Sequence, residues 1–92
     1  MSVRVRVPTP LRRFTAGVDE VVADGESIKT VIEDLERRHP GMRERLLDEK
    51  GEVRRFVNIY LNGDDIRFLN QLNSKVKDGD DISIVPAIAG GL

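Results

Sequence analysis

One segment of this sequence has the pattern of an amphipathic helix, and segments with strand patterns lie on both sides of it. Ile28, Val31, Ile32 and Leu35 recur at spacings of three and four residues, which places them on one helix face. Ser27 precedes them and is expected to cap the helix by accepting a backbone N–H hydrogen bond. One central helix between strands predicts an α+β domain in which the helix packs on one face of a sheet.

The helix is expected to end at His39, because a residue that precedes proline is disfavoured in helical angles. Its charged residues also suit a helix. Glu33 with Arg37, and Asp34 with Arg38, are acidic and basic residues four positions apart. We expect both pairs on the exposed side, opposite the apolar face.

Five strands are predicted around this helix. Apolar patterns place them at residues 3–7, 18–23, 56–61, 66–68 and 82–85. Asn62 and Gly63 suit a tight turn that needs positive φ, so the third and fourth strands should form a hairpin. A loop should join the first two strands, and short helical turns are expected within residues 42–47 and 69–76.

Composition limits the function. With 92 residues the chain is long enough for one domain, and 15 basic against 16 acidic residues give a net charge of −1. This balance gives no signature of nucleic-acid binding, so Arg4, Arg6, Arg12 and Arg13 are interpreted as solvated surface residues. No apolar run approaches a membrane span, and the opening residues lack the apolar region of a signal peptide, so a cytoplasmic location is expected.

The sequence is also poor in groups that do chemistry. It has no cysteine and a single histidine, which leaves almost nothing for a thiolate metal site or a nucleophile–histidine pair. Asp64–Asp65 and the pair at Asp80 and Asp81 adjoin glycines and are interpreted as turn residues. Neither an enzyme nor a metal protein is predicted.

The residues after the last strand are distinctive. Pro86 is followed by Ala87, Ile88, Ala89, Gly90, Gly91 and Leu92. At ordinary glycine usage, two glycines at two named positions occur by chance about once in 200 chains. Without Cβ atoms, such a tail can enter a slot hardly wider than a backbone. We therefore predict a domain at residues 1–86 and a flexible tail at 87–92.

The closing segment DGDDISIVPAIAGG, residues 78–91, together with RFVNIYLN at residues 55–62, resembles the ThiS/MoaD family of ubiquitin-like sulfur carriers. The likeness is strongest to the branch used in cysteine biosynthesis. It implies a β-grasp fold: a mixed sheet of four to five strands packed against one main helix. The first and last strands would lie side by side at the centre of that sheet.

The resemblance also implies a function for the tail. The Gly91 carboxylate would be adenylated by an enzyme of the ubiquitin-activating type, with ATP. Sulfide or a persulfide would then displace AMP to leave a thiocarboxylate. Gly90 would keep the approach narrow, and residues 87–89 would provide reach. A second, sulfur-accepting biosynthetic enzyme would take the sulfur, and any pyridoxal phosphate would belong to that acceptor rather than to the carrier.

Leu92 departs from the family pattern, in which the working end is Gly-Gly. We expect Leu92 to be removed first, by a metalloprotease of the JAMM type, so that Gly91 becomes terminal. Trimming by an ordinary carboxypeptidase and tolerance of Leu92 by the activating enzyme remain open.

Further alternatives concern partners. Phe56, Asn58 and Tyr60 alternate with apolar residues and form a partner-docking surface if their face points away from the helix. Instead of carrying sulfur, the protein could be a modifier joined to lysines through Gly91, or a β-grasp interaction module with an inert tail. Cysteine, molybdopterin, thiamine thiazole and thiolated natural products all remain open as the destination of the sulfur.

Overall fold

The computed structural model describes residues 1–86, in which five strands form a single sheet. The strands are β1 (Ser2–Arg6), β2 (Glu20–Asp24), β3 (Val57–Leu61), β4 (Asp64–Asp65) and β5 (Asp81–Pro86). Their order across the sheet is β2-β1-β5-β3-β4. β1 and β5 are parallel at the centre, and the other neighbours are antiparallel. This mixed sheet confirms the predicted β-grasp architecture.

The main helix, α1 (Ile28–Arg38), begins and ends where its sequence predicts. The Ser27 side chain accepts from the backbone N–H of Thr30 at 3.3 Å, and Thr30 Oγ1 accepts from the Ser27 N–H at 3.0 Å. This reciprocal pair satisfies two N–H groups that a helix start leaves free. At the other end, the N–H of His39 donates to the carbonyl of Leu35. A short helix, α2 (Met42–Leu46), follows directly.

A single core lies between α1 and one face of the sheet. The alternating residues of β1 and β5 that point to this face are buried, and so is the apolar stripe of α1. The buried apolar residues are Val3, Val5, Val7, Ala23, Ile28, Val31, Ile32, Leu35, Met42, Leu46, Leu47, Ile59, Leu61, Ile66, Val76, Ile82 and Ile84. The opposite face of the sheet carries no helix in residues 1–86 and is exposed to solvent.

The fourth strand differs from its prediction. The strand is Asp64–Asp65, whereas Ile66–Phe68 forms a 3₁₀ helix. The side chain of Asp65 explains the change, because it accepts from the N–H of Arg67 at 2.9 Å and so starts a helical turn. Ile66 then points into the core instead of continuing the strand.

Other differences are smaller. Thr9–Phe14, predicted as loop, forms a 3₁₀ helix, and another at Gln71–Asn73 is the turn expected within residues 69–76. The four longer strands are displaced by one or two residues from their predicted bounds. The turn between β3 and β4 has positive φ at Asn62 (52°) and Gly63 (89°), which confirms the hairpin.

The charged side of α1 also needs a correction. The Asp34–Arg38 pair forms as predicted, at 2.7 Å, but Arg37 pairs with Asp34 and not with Glu33. Asp34 is buried, with 7% of its side chain exposed, rather than lying on the exposed side. It is drawn inward because its carboxylate also accepts from the backbone N–H of Asp24 on β2.

Within residues 1–86, no helix has both the length and the apolar character needed to span a membrane.

Candidate functional site

The end of β5 is the candidate functional site, because it leads directly into the predicted tail. Ile82 and Ile84 anchor the strand in the core, while Val85 is exposed on the other face. The last residue, Pro86, pairs with Val57 at the start of β3. We call the end of β5 at Pro86 the tail root. It is the end of the central strand of the sheet.

The tail itself lies outside the described residues. This concerns the roles predicted for Ala87, Ile88, Ala89, Gly90, Gly91 and Leu92. Those roles stay predictions, and the structure contributes the surroundings from which the tail starts.

The three residues predicted to dock partners occupy related positions. Asn58 and Tyr60 lie on the outer face of the sheet, because the alternating residues Ile59 and Leu61 are buried beneath the helix. Phe56 precedes β3 and lies in a turn, with 60% of its surface exposed. The structure therefore places two of the three on one strand face and the third beside the tail root.

A groove adjoins the tail root on the β3 side. It is lined by Glu44, Arg45, Asp48, Arg54, Arg55, Phe56 and Val57. The guanidinium carbon of Arg55 lies 5.8 Å from the centre of the Phe56 ring. Arg54 Nε donates to the carbonyl of Glu44 at 2.7 Å. Arginine stems and an aromatic ring thus form much of this groove.

A second depression adjoins the tail root on the β1 side. It is lined by Arg6, Val7, Pro8, Arg12, Asp19, Glu20, Ser83, Ile84 and Val85. Arg12 Nε donates to the carbonyl of Val7 at 3.1 Å, which fixes this side chain beside the sheet. The tail root is therefore flanked by arginines on both sides.

The arginines of β1 belong to a different environment. Arg6 Nε donates to Asp81 Oδ2 at 3.1 Å, and this hydrogen bond and charge raise the pKa of Arg6. Arg4 Nε lies 4.0 Å from the other oxygen of the same carboxylate. The basic patch considered from sequence is thus divided: Asp81 offsets the charges of Arg4 and Arg6, whereas Arg12 and Arg13 lie on the 3₁₀ helix.

The aspartate pairs have the predicted turn roles only in part, because Asp64 and Asp65 form β4 and Asp81 begins β5, whereas the side chains of Asp65 and Asp80 make local hydrogen bonds. Asp80 Oδ2 accepts from the N–H of Lys77 at 2.7 Å, within the turn before β5. Asp65 is held by Arg67, whose hydrogen bonds lower the pKa of that carboxyl group. Within residues 1–86, His, Asp and Glu form no group of three or more that could hold a metal ion. The site is therefore the strand end from which the tail continues, and charged and aromatic side chains surround it.

The pattern of the ThiS family matches residues 5–91, from β1 through the second glycine of the tail. The chain belongs to the ThiS family. The match therefore includes most of the described domain and also the predicted working end.

Similarity to individual proteins supports the same family. The sulfur carrier protein CysO of Mycobacterium tuberculosis is 46% identical over 93 residues, covering 99% of this chain and 100% of that protein. The small archaeal modifier protein 3 of Haloferax volcanii is 34% identical over 88 residues, covering 86% and 95%. These relatives are carriers and modifiers, and the chain is a small ubiquitin-like protein of that kind rather than an enzyme.

A solved structure supports the same assignment. The crystal structure of the BexX/CysO complex of Amycolatopsis orientalis matches with a TM-score of 0.91 at 45% identity. The match covers 97% of this chain and 99% of the other. The β-grasp fold and the likeness to CysO are therefore both established for this chain.

Sequence reasoning missed one feature of the site. Two arginines lie over the Phe14 ring, with the guanidinium carbons of Arg13 and Arg45 at 4.9 and 5.6 Å from its centre. Arg45 is far from Arg13 and Phe14 in the chain, and no local pattern links it to them. They come together only because α2 packs against the 3₁₀ helix that contains Phe14.

Proposed function

We propose that this protein is a sulfur carrier whose Gly91 carboxylate is converted to a thiocarboxylate. The observation that carries the proposal is the ThiS family match, which continues through the end of β5 to Gly91. The 46% identity to a sulfur carrier over nearly the whole chain supports it. The geometry is consistent with this role, because the last residue of the central strand directly precedes the tail.

The proposed chemistry has two steps. The Gly91 carboxylate attacks the α-phosphate of ATP, giving the acyl adenylate and pyrophosphate. Sulfide then attacks the acyl carbon and AMP leaves, so that one carboxylate oxygen departs with AMP and a sulfur takes its place. A persulfide donor needs a reductant to release the same sulfur. A free carboxylate resists nucleophiles, and adenylation supplies the leaving group.

Two partner enzymes follow from this chemistry. The first is an adenylyltransferase of the ubiquitin-activating type, which uses the ATP. The second is a biosynthetic enzyme that accepts the sulfur, with pyridoxal phosphate in that enzyme if the product is cysteine. The CysO of Amycolatopsis orientalis has been crystallised with a second protein, BexX, which supports a stable partner complex. An ATP-dependent pathway of this kind is proposed for the cytoplasm.

Leu92 must be removed before Gly91 can be activated. We propose a JAMM-type metalloprotease for this cleavage. A branched side chain at the end would meet a partner channel shaped for glycine, so retention of Leu92 should block loading.

We also propose the outer face of β3 as part of the docking surface. Asn58 and Tyr60 lie on the face that no helix covers in residues 1–86, and Phe56 extends it to the tail root. The position of this surface beside the tail root supports the proposal.

A second candidate function is protein modification through Gly91. The 34% identity to small archaeal modifier protein 3 favours it. Both functions use adenylation, so only the product separates them. Conjugation to lysines would give adducts of higher mass, whereas sulfur loading changes the mass of the free chain.

Reconstitution tests the proposed function. A chain that ends at Gly91 is incubated with ATP, sulfide and the adenylyltransferase of the same host, and its intact mass is measured. Replacement of one oxygen by sulfur is expected. The matched control is the chain that retains Leu92, which should stay unmodified. The proposal would be refuted if the chain that ends at Gly91 were recovered only as the unmodified acid. The adenylyltransferase must be shown to be active on a known carrier in the same experiment.

A further inference from the structure

The turn between β3 and β4 contains a peptide bond that is suited to a spontaneous reaction. Asn62 is the one asparagine in the sequence that is followed by glycine. Because Gly63 has no Cβ, its backbone nitrogen is less hindered than that of any other residue type. Both residues are exposed, and a Cβ at Gly63 would meet no atom within 4 Å outside the adjoining residues. Water and hydroxide therefore reach this turn.

The reaction is deamidation. Hydroxide removes the proton of the Gly63 N–H, and the nitrogen attacks Cγ of Asn62. A new C–N bond closes a succinimide ring, the bond from Cγ to Nδ2 breaks, and the leaving nitrogen takes a proton from water and departs as ammonia. Water then adds to either carbonyl of the ring and gives aspartate or isoaspartate. Water is the only co-reactant, and no group is oxidised or reduced.

In the folded domain, the side-chain amide of Asn62 is bonded to another part of the chain. Its Oδ1 accepts from the backbone N–H of Asp81 at 2.9 Å, and its Nδ2 donates to Asp80 Oδ1 at 3.1 Å. The backbone N–H of Asn62 also donates to the carbonyl of Asp81 at 2.8 Å. We call these three hydrogen bonds the Asn62 clasp, and they join the turn to the start of β5.

The backbone of the turn is fixed as well. Asn62 and Gly63 both have positive φ, at 52° and 89°. Leu61, directly before them, pairs with Asp64 on β4 and with Ile82 on β5. Attack requires the reacting atoms to approach within about 3–3.5 Å in an aligned geometry. To reach it, the Asn62 side chain must break both of its hydrogen bonds and turn back over its own peptide bond.

We propose that Asn62 is a deamidation site that the folded domain keeps closed through the Asn62 clasp. The two side-chain hydrogen bonds must be lost before the ring can close. Their combined net strength corresponds to a rate about ten- to hundredfold lower in the folded protein than in the unfolded chain. The chemistry does not depend on the sulfur-carrier function.

The products of the reaction cannot form the clasp again. Aspartate at position 62 places a carboxylate where Nδ2 now donates to Asp80, so two like charges face each other at hydrogen-bond distance. Isoaspartate adds one atom to the main chain within a two-residue turn, which is incompatible with the register of Leu61 and Asp64. Either product loosens the start of β5, the strand that ends at the tail root.

The test follows deamidation of the whole chain at mildly alkaline pH, folded in buffer and unfolded in concentrated guanidinium chloride. Peptide mapping by mass spectrometry locates the aspartate and isoaspartate that form. Asp80→Ala removes the acceptor of Asn62 Nδ2. Asp78→Ala is the matched control, because this nearby turn carboxylate accepts from the N–H of Ser2 at 2.8 Å instead. Thermal unfolding of each variant checks that the domain stays folded.

The unchanged protein should deamidate at Asn62 about ten- to hundredfold faster when unfolded than when folded. In the folded state, Asp80→Ala should raise the rate about three- to tenfold, because one hydrogen bond of the clasp is lost. Asp78→Ala should change it by less than about twofold, because the clasp stays intact.

Three outcomes would overturn the proposal. Equal rates in the folded and unfolded protein would show that the clasp does not protect Asn62. Absence of aspartate and isoaspartate at position 62 in the unfolded chain would show that Asn62 is not a deamidation site. An unchanged rate in folded Asp80→Ala would contradict the role of the clasp. If that variant does not fold, the comparison of the folded and unfolded unchanged protein still decides.

Discussion

Asp34 is the residue that ties α1 to β2. Its carboxylate accepts from the backbone N–H of Asp24 at 2.8 Å and from Arg38 Nε at 2.7 Å, and it also accepts from Arg37. Burial alone would raise the pKa of Asp34, but these hydrogen bonds together lower it below its ordinary value. The ionised form is therefore the form that the folded protein stabilises.

This arrangement predicts a pH dependence of stability. Because the pKa of Asp34 is lower in the folded protein, the unfolded chain takes up the proton first as pH falls. The stabilisation is complete at neutral pH and is lost as pH falls below about 4, toward the lowered folded pKa. Asp34→Asn should reduce the free energy of unfolding at pH 7 by about 1–3 kcal/mol, since charge-assisted hydrogen bonds are lost.

Urea unfolding between pH 7 and pH 3 measures both effects. The unfolding midpoint of Asp34→Asn should fall less with decreasing pH than that of the unchanged protein. Glu33→Gln is the matched control, because Glu33 is exposed on the same helix and makes no salt bridge within residues 1–86. Parallel pH profiles for Asp34→Asn and the unchanged protein would show that Asp34 does not contribute in this way.

At the scale of elements, α1 depends on its first turn. Ser27 and Thr30 satisfy each other's backbone N–H groups, and the N–H of Ile28 is satisfied by the carbonyl of Ser74 from another segment. The helix start is thus fixed both locally and by the segment before β5. Its position matters because α1 covers the inner side of the strand that leads to the tail.

We predict that Ser27→Ala lowers the free energy of unfolding by about 1 kcal/mol, as loss of a capping side chain does. Ser27→Gly should lower the free energy of unfolding by only a few tenths of a kcal/mol, because glycine leaves the N–H groups open to water. Urea unfolding at pH 7 measures both. Equal stability of Ser27→Ala and the unchanged protein would contradict the capping role.

The outer face of β3 carries the docking prediction. Tyr60→Ala should weaken binding to the adenylyltransferase by about tenfold while the domain stays folded, since aromatic residues often dominate interfaces. Val22→Ala is the matched control: Val22 is 49% exposed on the edge strand β2, away from the tail root. Calorimetric titration measures both affinities. Equal weakening by the two changes would argue against a docking surface centred on β3.

Across the whole molecule, the elements that local patterns determine were predictable from sequence. The spacing of Ile28, Val31 and Leu35 gave the helix, Ser27 its start, and Asn62 with Gly63 the hairpin turn. Each of these depends on neighbours within a few residues. The resemblance of the closing segment predicted that the first and last strands lie side by side at the centre of the sheet, which local periodicity could not.

Features that depend on distant contacts were not predictable. Asp34 is buried because β2 offers it an N–H group. Arg45 meets the Phe14 ring because only the fold brings α2 against the first 3₁₀ helix. The roles of Gly90 and Gly91 lie beyond the described residues and stay predictions.

The central claim is that Gly91 carries sulfur in the cell. Intact-mass measurement of the protein purified from its own host, under conditions that protect thioacids, tests it most directly. The account predicts a chain that ends at Gly91 and carries a sulfur in place of one carboxylate oxygen. A chain found only as the unmodified acid, even when sulfur-accepting enzymes are deleted and loaded carrier should accumulate, would contradict it.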